Sequence, residues 1–321
     1  MAEAAARSSR TVRALIGEFG IALVLAAEIA LFALLSPYFF TAENILNISL
    51  QTSITAIIAV GMTFVILTAG IDLSVGALVA FTGVIVTTVV KIGAPYPVAL
   101  LCVMLTGLAI GAVSGAVAGT FVTKLRITPF IVTLALMTIW RGAAYMYTDG
   151  RPVWGLPDEF GVLGSGRLLG VPIPTICMVC VYVAAYVVLN RTRFGRHVYA
   201  VGGNPEAARL SGVLTDRVVL YVYMLCGMLA SFSGILLASR MNSGQPNAGQ
   251  MYELDVIAAV VVGGTSLFGG RGSVVGTFIG AMLIGVLRNG LNLMNVSSYV
   301  QMILLGVVIL SAVLLDRLRG R

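Results

Sequence analysis

Histidine occurs once in the 321 residues, as His197, lysine twice, as Lys91 and Lys124, and cysteine four times. Only 10% of the residues are charged, where a soluble domain carries about 25%. Each scarcity excludes a class of protein. Neither lysine sits in a G-x-x-x-x-G-K-S/T context, so the chain has no phosphate cradle of its own. One histidine and scattered carboxylates give no metal cluster, no nucleophile elbow and no acid or histidine relay of the kind expected in a proton-driven pump. Cys102, Cys177, Cys180 and Cys226 all fall inside apolar runs. The pair Cys177 and Cys180 has C-x-x-C spacing but no second pair or histidine to accompany it. The four therefore read as small buried hydrophobes, and no metal is expected.

Apolar residues fill the space that charge leaves, at 59% of the chain with a mean hydropathy of +1.01. That composition rules out disorder and a soluble enzyme. The apolar total, about 190 residues, suffices for nine or ten bilayer crossings at roughly 20 residues each. The expected class is an all-α polytopic membrane protein embedded in the lipid bilayer.

Charge-free runs place ten spans. They lie at 19–36 with Glu28 inside, within 45–70, within 73–90, within 97–123, and at 128–148 with Arg141 inside. After a break at 149–171 come 172–190, 218–239, a short 254–268, 273–294 and 298–315. An even count puts both termini on one side. With the N-terminus in the cytoplasm, the inner segments hold fourteen Lys and Arg and the outer loops only Lys91, Arg151, Arg167 and Arg240. This asymmetry predicts that both termini are cytoplasmic. It also accounts for the net +7 without a nucleic-acid partner. The organisation expected is a cytoplasmic tail at 1–18 bearing Arg7, Arg10 and Arg13, a transmembrane domain at 19–315 with a long cytoplasmic loop at 191–217, and a cytoplasmic tail at 316–321.

Small residues recur at intervals of four. Gly107, Gly111, Gly115 and Gly119 mark one face of the fourth span, and Gly272, Gly276 and Gly280 the start of the ninth. Such stripes let helix backbones approach closely, and packing is their expected role.

Two glycine-rich interruptions, A-G-I-D-L-S-V-G at 69–76 and G-G-T-S-L-F-G-G at 263–270, fall at membrane depth. Irregular backbone survives there only where protein buries it or where it lines a wet cavity. Asp72, with Ser74 two residues on, either caps a helix that begins near Leu73 or lies on a substrate path. Arg141 and Arg288 are open to the same two readings, and Asn289 and Asn292 continue a polar face beside Arg288.

The loop at 191–217 contains G-G-N-P-E-A-A-R-L-S-G at 202–212. Asn204 suits an N-cap, Pro205 the first helical position, Glu206 the first turn and Gly212 the stop. About seven residues of helix cannot stand alone, so the segment is expected to dock on a partner or lie in the headgroups.

Blocks at 61–76, 127–142 (I-T-P-F-I-V-T-L-A-L-M-T-I-W-R-G), 148–153, 194–212 and 260–277 resemble the permease subunit of ribose-type sugar ABC importers, and the similarity covers about residues 40–315. The resemblance implies an ABC type II importer-like permease bundle that pairs with a second permease copy, most simply as a homodimer. It implies a cytoplasmic ABC ATPase that binds ATP and Mg, with no cofactor in this chain, and a periplasmic or lipid-anchored sugar-binding protein. E-A-A-x-x-x-G resembles the coupling-helix signature, which carries over to Glu206, Ala207, Ala208 and Gly212. Gly203, Asn204, Pro205 and Arg209 complete the segment expected to meet the ATPase. Two departures are Ala69, where such permeases often have a second glycine, and Trp140, where smaller residues are common. Another small polar solute (a furanone signal, a nucleoside or a branched-chain amino acid) is the alternative cargo. A stand-alone secondary transporter or channel and a membrane enzyme are the alternative classes.

Overall fold

A computed structural model describes residues 20–319, so the expected tail at 1–18 lies outside the described residues, as do the last two of the tail at 316–321. The helices are α1 (Gly20–Leu35), α2 (Ala42–Leu67), α3 (Val75–Val90), α4 (Tyr96–Thr123), α5 (Pro129–Thr148), α6 (Asp158–Ser165), α7 (Ile173–Arg191), α8 (Arg193–Gly203), α9 (Pro205–Leu210), α10 (Thr215–Arg240), α11 (Tyr252–Val262), α12 (Val274–Leu293) and α13 (Ser298–Arg319). A two-residue hairpin, β1 (Arg167–Leu168) with β2 (Val171–Pro172), precedes α7. Among the described residues the regular structure is helical apart from that hairpin and one isolated bridge. Six helices, α2, α4, α5, α7, α10 and α12, are long and apolar enough to cross a membrane. α1, α3 and α13 are shorter apolar helices, and α13 continues past residue 315 to Arg319.

The segment expected to span at 254–268 is corrected. α11 ends at Val262, and its 11 residues reach about 17 Å at about 1.5 Å per residue, well short of a hydrocarbon core of about 30 Å. Gly264, Gly269 and Gly270 have positive φ and break the helical path before α12. The break at 149–171 is itself structured. α6 is locked to the end of α10, where Ser239 Oγ donates to the Phe160 carbonyl at 2.5 Å and accepts from the Gly164 amide at 2.7 Å.

The core forms around α2 and α10. From Ser53 to Leu67 nearly every α2 side chain is buried, which leaves this helix apolar all round rather than amphipathic. α10 packs on α2, α3 and α4, and α12 packs on α2 and α11. Gly111 and Gly115 of α4 abut the α10 backbone at Gly227 and Tyr223, Gly119 abuts Leu220, and Gly107 receives the Ile235 side chain. Gly276 and Gly280 of α12 press on the backbone of Gly263 and Ala259, whereas Gly272 stands before the helix with φ +151 against Thr265. Of the cysteines only Cys226 is buried. Cys102 and Cys180 are exposed on α4 and α7 and Cys177 is intermediate, because those helix faces point away from the bundle.

Trp140 turns inward, its ring 5.0 Å from that of Phe81 and its Nε1 donating to Ser114 Oγ at 2.8 Å. Ala69 adopts φ 60, a left-handed conformation that costs a residue with a Cβ about 1–2 kcal/mol. Ala69→Gly is therefore expected to raise the unfolding temperature of the solubilised protein by a few degrees, read by thermal denaturation in detergent.

Candidate functional site

The site is built from three irregular stretches. The first, 69–76, links α2 to α3. α3 starts at Val75, two residues beyond Leu73, and Ser74 stands at its N-cap without capping it. Asp72 Oδ1 instead accepts from the Ser74 amide at 2.9 Å and from the Ser74 hydroxyl at 2.6 Å. The aspartate therefore closes an Asx-type turn one step ahead of the helix. Asp72 and Ser74 are 2% and 1% exposed, so neither faces open space. Thr133 of α5 and Tyr223 of α10 both donate to the Ile71 carbonyl, at 3.2 and 3.4 Å.

The second stretch, N-S-G-Q-P-N-A-G-Q at 242–250, falls between the expected spans at 218–239 and 254–268 and holds none of the site residues expected from the sequence. Gly244 pairs with Val153 in an antiparallel bridge, at 2.8 and 3.0 Å. Gly244 lies against Val84 and Thr87, and Gly249 against Gly76 and Val79. The irregular segment, built largely of turns, therefore runs alongside α3 and delivers the chain to the start of α11. Arg141 of α5 holds it there, donating from one guanidinium nitrogen to the carbonyls of Pro246 at 2.9 Å and Ala248 at 2.7 Å. Asn247 and Gln250 are exposed, and Glu253 Oε2 is buried against Gly76 with no hydrogen-bond partner. On α5, Thr138, Gly142 and Tyr145 are exposed at spacings that put them on one face. The exposed Asn247 and Gln250 carboxamides and the remaining Arg141 guanidinium N–H groups are left with unfilled hydrogen-bonding capacity, a chemistry suited to a small polyhydroxylated solute. The density of glycine, proline and asparagine was the signal in the sequence.

The five other pathway candidates do not join this set. Arg288 pairs with Asp255 of α11 at 2.5 Å. Asn289 exchanges amide hydrogen bonds with Asn44 of α2 at 2.9 and 3.0 Å, and Asn292 accepts from Gln301 at 2.8 Å. The Asp72 turn is sealed from them inside the bundle.

The third stretch is the junction of α8 and α9. Asn204 ends one helix and caps the next: its amide donates to the Ala200 carbonyl at 3.1 Å and its Oδ1 accepts from the Ala207 amide at 3.0 Å. Pro205 takes the first helical position, and Glu206 pairs with Arg209 at 2.8 Å on the exposed side. Gly212 stops α9 with φ +84, in open space. Of α9 only Ala208 is buried. α8 was not foreseen; it lies against α2, with Phe194 stacked on Phe64 and Val198 and Val201 buried. Burial raises the Tyr199 phenol above its usual pKa, and its hydroxyl donates to the Gly272 carbonyl at 2.8 Å.

Among the described residues no group of three or more His, Cys, Asp or Glu side chains could hold a metal ion.

The family described as branched-chain amino acid transport system / permease component matches residues 44–313. The ribose import permease protein RbsC of Escherichia coli K12 is 52% identical over 298 residues, 92% of each chain. RbsC of Bacillus subtilis is 48% identical over 287 residues, 89% of this chain and 88% of that one. The L-arabinose transport system permease protein AraH of Escherichia coli K12 is 37% identical over 305 residues, 95% and 92% of the two chains. No solved structure matches.

Proposed function

The chain belongs to the family of branched-chain amino acid transport system permease components, and on that premise we propose that it carries a ribose-type sugar across the bacterial inner membrane. It is a multi-pass membrane permease subunit of an ABC importer and performs no covalent chemistry itself. The observation that carries the sugar assignment is identity of about one residue in two with ribose permeases, over nine tenths of the chain and from two distant bacteria. That likeness outweighs the amino acid in the family's description.

Several finer points belong to the same reading. Two copies form the membrane core. The transmembrane domain at 19–315 makes ten crossings with both termini cytoplasmic, the eighth completed by the 242–250 segment together with the half-length α11, and its loop at 191–217 lies in the cytoplasm on the same side as the short tails. α9 with its flanking Asn204 and Gly212 seats in a groove of an ATPase that binds ATP and Mg, and a sugar-binding protein delivers cargo from the opposite face. Alternating access then follows from rocking of the paired bundles. Sugar passes along the α5 face and the segment at 242–250, where Arg141, Asn247 and Gln250 offer hydrogen bonds to hydroxyls. Asp72, Ser74, Asn289 and Asn292 support the walls.

The test is uptake into proteoliposomes that hold the permease with its ATPase, its binding protein outside and ATP inside. Labelled ribose is expected to accumulate only with all three proteins and ATP. Accumulation of leucine in place of ribose would overturn the sugar assignment, and ATP-independent ribose entry would overturn the importer.

A further inference from the structure

We propose that Gly202, at the end of α8, is the joint through which movement of α9 reaches the membrane helices, an inference that rests on the docking role given to α9 above. Three chain segments far apart in sequence meet at this glycine, backbone to backbone. A Cβ on Gly202 would overlap the Leu67 carbonyl oxygen at the end of α2 and stand 2.6 Å from the Gly270 amide nitrogen. That amide donates to the same Leu67 carbonyl at 2.9 Å, which ties the 263–270 turn to α2 directly under α8. Gly269, with φ +83, closes the triangle: a Cβ there would lie 2.9 Å from the Gly202 carbonyl and 3.0 Å from the Ala69 amide.

The mechanical consequence follows from what is missing between the segments. Side chains can absorb a displacement by changing rotamer, whereas contacting backbones cannot, because packed interiors deform little. A shift of the α8 terminus must therefore move the 69–76 turn, which opens α3, and the 263–270 turn, which leads into α12. Two further contacts make α8 a strut: Phe194 stacks on Phe64, with ring centroids 6.3 Å apart, and Tyr199 is bonded to Gly272. α9, by contrast, is exposed except at Ala208 and joins α8 through Asn204, so a partner that grips it pulls on the α8 terminus. The two glycine interruptions and the E-A-A-x-x-x-G segment are thus parts of one device.

Gly202→Ala in the complete reconstituted importer tests this. The variant is expected to co-purify with the ATPase at the wild-type ratio and to keep basal ATP hydrolysis within twofold. Sugar uptake and hydrolysis stimulated by the binding protein are expected to fall at least tenfold. ATP-induced changes in amide hydrogen exchange at 69–76 and 263–272, present in the wild type, should vanish. Wild-type uptake in Gly202→Ala overturns the joint. Loss of ATPase co-purification also overturns it, since Gly202 would then only shape the docking surface. If Gly202→Ala does not insert, Tyr199→Phe decides: it removes one hydroxyl and is expected to reduce stimulation about threefold with a weakened exchange response, and an unchanged response overturns the proposal. The docking reading fails separately, if variants within α9 itself keep ATPase binding and stimulation.

Discussion

Glu206→Ala is expected to abolish stimulated ATP hydrolysis by the assembled importer and to lower sugar uptake by at least tenfold, with the permease still inserted at wild-type level. The geometry separates the two effects. Glu206 and Arg209 are 66% and 62% exposed, so their ion pair contributes less than about 1 kcal/mol to the fold. Asn204, not Glu206, caps the helix. Removing the carboxylate thus takes away a charge presented to a partner and little else. Gly212→Ala should give the same transport defect by another route. Nothing lies within 4 Å of a Cβ there, but φ +84 makes any side chain cost about 1–2 kcal/mol. The turn that closes α9, in which Gly212 and Val213 amides donate to the Arg209 and Ala208 carbonyls at 3.0 Å, would open and let the helix swing. Co-purification of the ATPase and its hydrolysis rate with and without binding protein are the measurements. Normal stimulation in both variants would remove α9 from the ATPase contact.

The legible parts of the fold are those with local causes. Runs without charge locate the apolar helices within a few residues, as at 218–239 against Thr215–Arg240 for α10, because a helix in lipid must satisfy its own backbone. The cap, proline and stop of α9 are readable for the same reason. Long-range causes leave no such trace. α6 exists through Ser239, some 75 residues away, and the apolar side of α8 is diluted by Arg193, Arg196 and His197 on its other faces. Asp72 shows a finer limit: its identity announces a cap, but the two-residue offset to Ser74 rather than to the helix is set by how the turn is buried. The convergence of 69–76, 202–203 and 263–270 is the clearest case. Each stretch is glycine-rich in the sequence, and spacing along the chain says nothing about their meeting.

Arg288 and Arg141, equivalent by sequence, are expected to fail in opposite ways. Asp255 is 3% exposed and Arg288 is its ion-pair partner, itself 44% exposed. Arg288→Ala leaves the buried carboxyl alone, a change that costs toward the low end of about 3–5 kcal/mol because Arg288 itself is half-exposed. The variant should lose thermal stability and yield in detergent before any effect on transport can be read. Replacing both members, Asp255→Leu with Arg288→Met, should recover most of the loss, since two apolar side chains need no partner. Arg141→Ala removes two hydrogen bonds that a half-exposed guanidinium makes, worth about 0.5–1 kcal/mol each, from carbonyls of a segment that the Val153 bridge and the Gly244 and Gly249 contacts still hold against α3. The bundle therefore survives while the 242–250 segment loosens where the sugar passes. Uptake should fall at least tenfold with ATPase assembly intact and a much smaller drop in unfolding temperature than in Arg288→Ala. Thermal denaturation and uptake measured side by side distinguish them. Normal uptake in Arg141→Ala would remove this arginine and its segment from the path, and wild-type stability in Arg288→Ala would show that Asp255 needs no partner at all.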